Sequence, residues 1–134
     1  MDFLPLFFDI KQKHCLVVGG GEVAARKVAL LLKAQARVTV VSPQLGRELS
    51  EMLEKQPFSH VAREFSESDL EPRPLLIFAT TDVREVNQQV YELAEARGIA
   101  VNIADDPAHC SFITPSIIDR SPVQIAVSTG GASP

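Results

Sequence analysis

The sequence predicts an α/β fold, in which a parallel β-sheet carries helices on both faces and is followed by a β-hairpin. Short apolar segments rich in β-branched residues alternate with amphipathic segments from residue 14 to residue 103, a pattern typical of strands joined by crossover helices. The first apolar segment ends in Gly19-Gly20-Gly21 and leads directly into a helix-forming run. After residue 110, two β-rich segments follow each other with no helical segment between them, which predicts an antiparallel pair.

The individual elements follow from these patterns in chain order. We expect the apolar stretch Phe3-Leu4-Pro5-Leu6-Phe7-Phe8 to pack on the sheet. Strands are predicted over residues 14–18, 37–41, 60–63, 75–79 and 100–103, and helices over residues 23–34, 46–54 and 83–97. Residues 64–74 are charged and contain Pro72 and Pro74, so they predict a loop with one helical turn. Strand 75–79 is apolar throughout, as expected of a central strand covered on both faces.

Capping and turn residues mark the ends of these elements. Thr80-Thr81-Asp82 offers N-cap side chains to the third helix, and Gly98 is suited to end it. The hairpin is predicted as strands 111–119 and 123–128, joined by Arg120-Ser121-Pro122. Ser133 and Pro134 are suited to the N-cap and first position of another helix, so we expect the sequence to be part of a longer protein. Residues 1–110 form the first predicted domain, and residues 111–134 begin a second region.

The composition is that of an ordinary globular domain and argues against several classes of partner. The chain has 134 residues, of which 46% are hydrophobic, and its formal net charge is -4. An acidic chain gives no indication of binding to nucleic acid or to an anionic membrane, and no apolar run reaches the roughly 20 residues that span a bilayer. The first residues do not read as a signal peptide, and the two cysteines make no disulfide framework. We therefore expect a cytoplasmic protein in which Cys15 is a small core residue.

The glycine-rich turn predicts a Rossmann-like dinucleotide-binding unit. Gly19, Gly21 and Ala24 occupy the G-x-G-x-x-A positions between a predicted strand and a predicted helix. Gly19 permits the tight turn, Gly21 lets a pyrophosphate approach the backbone, and Ala24 lets the helix pack close to the sheet. The N–H groups and positive dipole at the start of the helix then face the phosphates. The alternative is a fold of this type that has lost its ligand.

The motif alone leaves the choice between NAD and NADP open. NAD-binding units usually place Asp or Glu at the end of the second strand, about 20 residues after the glycines, to bind the ribose. Here the strand ends in Val41-Ser42-Pro43-Gln44, which contains no carboxylate. The ribose would then bind to Ser42 or to a backbone group. No arginine is placed there to bind a 2′-phosphate. Thr80 and Thr81 follow a strand that ends at the same edge of the sheet, and they either line the cofactor site or only cap the helix.

The loop after the last strand of the predicted sheet contains several polar side chains. Asp105, Asp106, His109 and Cys110 lie within six residues of each other at the edge where open α/β sheets bind ligands. A carboxylate beside a nicotinamide is a candidate general base, whereas Asp105-Asp106-Pro107 is also suited to a plain turn. The four side chains also permit a metal site, but they lack the ligand spacing usual for zinc, so no metal ligands are predicted.

Taken together, these residues make the chain resemble the N-terminal module of siroheme synthase, the precorrin-2 dehydrogenase and sirohydrochlorin ferrochelatase family. The resemblance covers essentially the whole chain, and the glycine motif is its least specific part. The segments that carry it are, in order, Leu4-Pro5-Leu6-Phe7, residues 17–24 with Arg26-Lys27, Ala79-Thr80-Thr81-Asp82, Val86-Asn87, Asn102-Ile103-Ala104-Asp105, Ser111-Phe112-Ile113, residues 115–120 and residues 126–134.

The resemblance implies a reaction. Precorrin-2, a tetrapyrrole rich in carboxylates, would lose a hydride to NAD⁺ and a proton, giving sirohydrochlorin. The resemblance selects NAD, because the Val-Ser-Pro ending of the second strand is usual in the family. Asp105 matches the family's catalytic aspartate, which takes the proton and helps to remove pyrrole protons when a metal is inserted. Many members insert Fe²⁺ as a second substrate, and the macrocycle's own nitrogens hold the iron.

The resemblance also assigns binding positions and partners. Residues 111–134 correspond to the start of a region that builds a homodimer and part of the substrate cleft, and we expect no nucleic acid or membrane partner. Two alternatives are a dehydrogenase without ferrochelatase activity and a non-catalytic nucleotide-sensing module, which the missing ribose carboxylate suggests. The predicted cofactor-binding residues are Gly19, Gly21, Glu22, Val23, Ser42, Pro43, Gln44, Thr80 and Thr81, and the predicted substrate-binding residues are Arg120 and Ser128.

Overall fold

Five parallel strands form the central sheet of the protein. The computed structural model describes residues 1–131, so Ser133 and Pro134, predicted to begin another helix, lie outside the described residues. The strands lie in the order β3-β2-β1-β4-β5, and every neighbouring pair is parallel, as predicted. The elements of the sheet and its helices are β1 (His14–Val18), α1 (Glu22–Lys33), β2 (Arg37–Val41), α2 (Arg47–Lys55), β3 (Ser59–Val61), β4 (Leu76–Ala79), α3 (Arg84–Arg97) and β5 (Ala100–Ile103).

The sheet is covered on both faces, which confirms the predicted α/β class. Alternate residues of β1 point to opposite sides, because side chains of a strand alternate across the sheet. Cys15 and Val17 pack with α1 and α2 in one buried cluster, whereas Leu16 and Val18 pack with α3 in another. All four side chains are at most 1% exposed, so β1 is the most completely buried part of the core.

Most predicted boundaries agree with the structure to within one or two residues. The loop over residues 64–74 contains the predicted helical turn, as a 3₁₀ helix over Glu67–Leu70. Gly98 ends α3 in the left-handed conformation, with φ of 65°. The start of the hairpin was predicted too early, since β6 covers only Ser116–Arg120, while β7 covers Val123–Val127. The residues before β6 are held instead against the sheet, where the Asn102 side chain donates a hydrogen bond to the carbonyl of Phe112.

The apolar N-terminal stretch does not pack on the sheet, so that prediction was wrong. Its large side chains are 43% to 74% exposed, and Ile10 is the first buried residue of the chain. The physical reason is that α1, α2 and α3 already cover both faces of the sheet. Phe3 lies instead beside the turn that follows the hairpin, where a Cβ atom added to Gly130 would lie 3.3 Å from its ring.

The hairpin β6–β7 is antiparallel, as predicted, and is attached to the flank of α1. Lys27 donates a hydrogen bond from Nζ to Thr114 Oγ1 at 3.2 Å, just before β6. Lys33, at the end of α1, forms an ion pair with Asp119 of β6 at 3.7 Å. Both strands leave large aliphatic side chains 45% to 59% exposed, so the hairpin presents an open apolar surface. Within residues 1–131, no helix has the length and apolar character needed to cross a membrane.

A half-buried histidine lies at the opposite edge of the sheet, where the strands begin. His14 opens β1, and its Nε2 lies 3.2 Å from Thr39 Oγ1 of β2. Burial lowers the pKa of this imidazole below its usual range, the carbonyl of Pro72 opposes the shift, and the charge of Arg37 adds to it. The folded chain therefore favours neutral His14.

Replacing His14 by glutamine is expected to make stability less dependent on pH. Because the pKa of His14 is lower in the folded chain, the unfolded chain binds more protons below about pH 6.5. The free energy of unfolding therefore falls as the pH drops from about 6.5 through the lowered pKa. Glutamine keeps a donor for Thr39 but does not titrate, so His14→Gln should lose less stability over this range. Urea unfolding of both proteins at a series of pH values measures the difference, and parallel curves would contradict it.

Candidate active site at the carboxyl edge of the sheet

The glycine turn after β1 is packed so closely that two of its positions exclude a side chain. Gly19 has φ of 127°, and a Cβ atom there would lie 2.3 Å from Thr80 Oγ1. A Cβ atom on Gly20 would lie 2.2 Å from the carbonyl oxygen of Gln44. Gly21 differs, because no heavy atom lies within 4 Å of its Cβ position. The first two glycines therefore serve internal packing, and the third faces open space.

The start of α1 provides unpaired backbone donors beside this open space. Gly21 is the N-cap residue, and no side chain caps the helix there. The first N–H groups of an α-helix have no partner within the helix, and the helix dipole adds positive potential at this end. Gly46, at the start of α2, donates its N–H to the carbonyl of Gly20 at 2.7 Å and fixes the turn from the other side. The residues present thus fit the pyrophosphate of a dinucleotide.

The turn after β2 uses the Ser42 hydroxyl internally. Ser42 is buried, and its Oγ donates a hydrogen bond to the Gln44 carbonyl at 2.6 Å. His60 of β3 donates from Nε2 to the Ser42 carbonyl at 2.9 Å. Of the residues predicted to contact the cofactor here, Pro43 and Gln44 are exposed and Ser42 supports the turn beneath them.

The loop after β4 is held by hydrogen bonds that the sequence pattern does not indicate. Thr80 donates from Oγ1 to the Val18 carbonyl at 3.1 Å and so joins the ends of β1 and β4. Asn87 of α3 accepts hydrogen bonds from Thr81 N and Oγ1, and its amide donates to the Thr81 carbonyl. Val83, not a residue of 80–82, is the N-cap of α3, and its N–H donates to Thr81 Oγ1. The predicted cap residue was therefore wrong, and Thr81 together with Asn87 supports the helix start.

The loop after β5 presents Asp105 at the same edge. Asp105 is exposed and has φ of 58°, in the left-handed region that Asp tolerates better than most residues. Among the described residues, its carboxylate makes no hydrogen bond or ion pair. Behind it, the single S–H proton of Cys110 lies within hydrogen-bond reach of the carbonyls of Ile103 and Asp106, and Sγ accepts from Ile103 N–H, which closes the loop. Burial raises the pKa of this thiol, so it is a structural donor.

Asp105 and Thr81 line the same cavity, which has a volume of about 610 Å³. This size is ordinary for a small-molecule site. Arg84 brings a positive charge into the cavity from the first turn of α3. It was not predicted as a site residue, because an arginine at that position is also an ordinary exposed residue. The full lining is Thr81, Asp82, Arg84, Asn87, Gln88, Ile103, Ala104, Asp105, Asp106 and His109.

A second cation, Lys27, lies under the site on α1. Its ammonium lies 5.3 Å from the centre of the Phe78 ring, a distance at which a cation is attracted to an aromatic face. Burial lowers the pKa of Lys27, with a further contribution from Arg26, while Cys110 and Asp105 act in the opposite direction. The structure thus places a half-buried positive charge close enough to Asp105 to interact with it electrostatically.

The two predicted substrate-binding residues lie at different places on the hairpin. Arg120 is at its turn, next to Asp119, which pairs with Lys33 at the far end of α1. Because α1 points its first turn towards the carboxyl edge, one chain does not bring Arg120 to Asp105. Ser128 follows β7 at the base of the hairpin, and its Oγ accepts a hydrogen bond from Gly130 N–H. Within residues 1–131, no group of three or more His, Cys, Asp or Glu side chains is arranged to hold a metal ion.

The sheet order, the close glycine turn and the uncapped helix start define a dinucleotide-binding α/β protein. Residues 6–116 match a family model described as "Putative NAD(P)-binding", and the chain belongs to this family. The match confirms the predicted Rossmann-like fold and, with the structural neighbour described next, the prediction of NAD as cofactor.

Comparison with individual proteins points to a more specific group than the family model does. The chain is 54% identical over 134 residues to siroheme synthase of Thioalkalivibrio sulfidiphilus and 53% identical over 135 residues to that of Nitrosomonas europaea. Each match covers 100% of this chain, but only 27% and 28% of the relative, so the chain spans little more than a quarter of their length. Among solved structures, "SirC, precorrin-2 dehydrogenase" aligns with a TM-score of 0.81 and 29% identity, over 98% of this chain and 64% of that one. The resemblance to siroheme synthases is thereby confirmed.

Replacing Gly21 by alanine is expected to weaken NADH binding without weakening the fold. Its Cβ position is open and its φ of -92° suits alanine, whereas a methyl group there would occupy the space in front of the helix start. We expect Kd to rise by about tenfold, or roughly 1.4 kcal/mol. Calorimetric titration with NADH measures the affinity, and thermal unfolding measures the fold.

Gly19→Ala is the matched comparison for Gly21→Ala. Because Gly19 has a positive φ and a Cβ atom would overlap Thr80, this variant should lose stability as well as affinity. Unchanged NADH affinity in Gly21→Ala would show that the open space is not the phosphate site.

Proposed function

We propose that this chain is the cofactor-binding and catalytic part of an enzyme that oxidises precorrin-2 to sirohydrochlorin. The observation that carries the proposal is the placement of Asp105 at the edge where the glycine turn also lies. β4 separates β1 from β5 in the sheet, so the two loops lie about two strand spacings, or roughly 10 Å, apart. The similarity to a solved precorrin-2 dehydrogenase and to siroheme synthases supports this substrate.

The residues of the site divide the chemistry between them. Bound NAD⁺ supplies the hydride acceptor. The backbone at Gly21 and the start of α1 hold its phosphates, and the loops after β2 and β4 flank it. Asp105 accepts the proton that leaves the substrate, since its carboxylate is exposed in the cavity and is not occupied by another described group.

A basic side chain in the cavity suits a substrate rich in carboxylates. Arg84 lines the cavity itself, and its guanidinium can bind a carboxylate with two parallel hydrogen bonds. Arg120 and Ser128 remain proposed substrate contacts from the hairpin. Because Arg120 lies away from Asp105 within one chain, it would act on the substrate bound to a second copy.

Three finer proposals follow from the family resemblance. The enzyme also inserts Fe²⁺ into sirohydrochlorin, with the macrocycle nitrogens as ligands. Two copies associate through the hairpin, whose aliphatic side chains are about half exposed in one chain. The reaction takes place in the cytoplasm, as the composition suggests.

Replacing Asp105 by asparagine in the full-length protein should reduce precorrin-2 oxidation by about 100-fold. Asparagine tolerates the left-handed backbone and differs only in lacking a basic carboxylate, so NADH affinity and thermal stability should be unchanged. NADH absorbance after addition of precorrin-2 measures the rate. Glu85→Gln, which removes an exposed carboxylate outside the cavity, serves as the control, and equal rates for the two variants would refute the role of Asp105.

Fe²⁺ insertion is tested by adding sirohydrochlorin and Fe²⁺ to the same proteins under anaerobic conditions. The absorbance spectrum of the metal complex should develop with the wild type and be slowed at least about tenfold in Asp105→Asn, because insertion also requires proton removal. If the wild type inserts Fe²⁺ no faster than a sample without enzyme, the protein is a dehydrogenase that lacks chelatase activity.

A further inference from the structure

The cavity contains a second pair of titratable side chains, which the proposed oxidation does not use. His109 and Asp106 line it together with Asp105. The Nδ1 atom of His109 lies 2.7 Å from Asp106 Oδ2, and the two side chains are 35% and 41% exposed. Tyr91 of α3 packs on the imidazole in a T-shaped arrangement, with ring centres 4.7 Å apart and planes at 83°. The ring is therefore held from two sides.

This arrangement fixes which imidazole nitrogen can accept a proton. The Asp106 carboxylate accepts a hydrogen bond from Nδ1–H, so in neutral His109 the lone pair is on Nε2. Among the described residues, Nε2 has no hydrogen-bond partner. The backbone strengthens the same geometry, because His109 N–H donates to the Asp106 carbonyl at 3.0 Å.

Both acidic and basic side chains share the cavity with His109. From its own loop, Asp105 and Asp106 are acidic, and the Cys110 thiol is held by backbone groups. From α3 and the loop before it, Tyr91 packs on the ring, and Asp82 and Arg84 also line the cavity.

We propose that His109, oriented by Asp106, is the second proton acceptor for metal insertion. This inference rests on the proposed insertion activity. When a divalent ion replaces the two N–H protons of the macrocycle, two N–H bonds break, the nitrogen lone pairs bind the metal, and two protons must leave. The oxidation releases only one proton, for which Asp105 suffices. In insertion, Asp105 accepts one proton and His109 Nε2 accepts the other, and both pass to water.

The experiment compares the two reactions in the full-length protein. His109→Gln and Asp106→Asn remove the proton acceptor and its orienting charge with little change in size. We expect precorrin-2 oxidation to stay within about twofold of the wild type, while Fe²⁺ insertion falls by about tenfold or more at neutral pH. Added imidazole should restore insertion in His109→Gln, an effect that a purely structural histidine would not show. His14→Gln, at the opposite edge of the sheet, is the matched control and should affect neither reaction.

Each other outcome decides against the inference. Wild-type insertion rates in His109→Gln would overturn the role of His109 and leave the insertion activity in place. An equal loss of oxidation and insertion, with no restoration by imidazole, would show that the pair only supports the loop. Absence of insertion by the wild type would overturn this inference together with the insertion proposal, while leaving the proposed oxidation intact.

Discussion

The carboxyl edge of the sheet depends on the close contact of three loops around two glycines. Gly19 is packed against Thr80, and Gly20 against the turn formed by Ser42 and Gln44, at distances that leave no room for a Cβ atom. These contacts fix the loops after β1, β2 and β4 relative to each other. Since β5 pairs directly with β4, the loop that carries Asp105 is placed by the same framework. Close packing at Gly19 and Gly20, which have no side chains, therefore sets the geometry of the site.

The fold could be predicted from the sequence because its signals are local. The run from Leu16 to Ala24 specifies a strand, a tight turn and a helix through residue types alone, and β1 agrees with the structure at both ends. The N-terminal stretch could not be placed in this way. Apolar residues such as Phe7 indicate burial, but whether a surface is free to bury them depends on α1, α2 and α3, which are distant in sequence.

The site was predicted only in part, for similar reasons. The sequence indicates which loops meet at one edge, but it does not show which hydroxyls are already engaged. Ser42 bonds its own turn, and Thr81 is held by Asn87 in three hydrogen bonds that no capping pattern indicates. Arg84 begins α3 and is distant in sequence from the loop of Asp105 and His109, so its place in their cavity becomes visible only in three dimensions.

The attachment of the hairpin to α1 has a mechanical consequence. One end of α1 faces the proposed site of the cofactor phosphates. Its flank holds the hairpin through the hydrogen bond from Lys27 to Thr114 and, more weakly, through the ion pair of Lys33 with Asp119. A helix of 12 residues behaves as a stiff rod about 18 Å long. The phosphate-binding turn and the hairpin therefore share one rigid support, and α1 sets the distance between the glycine turn and Arg120.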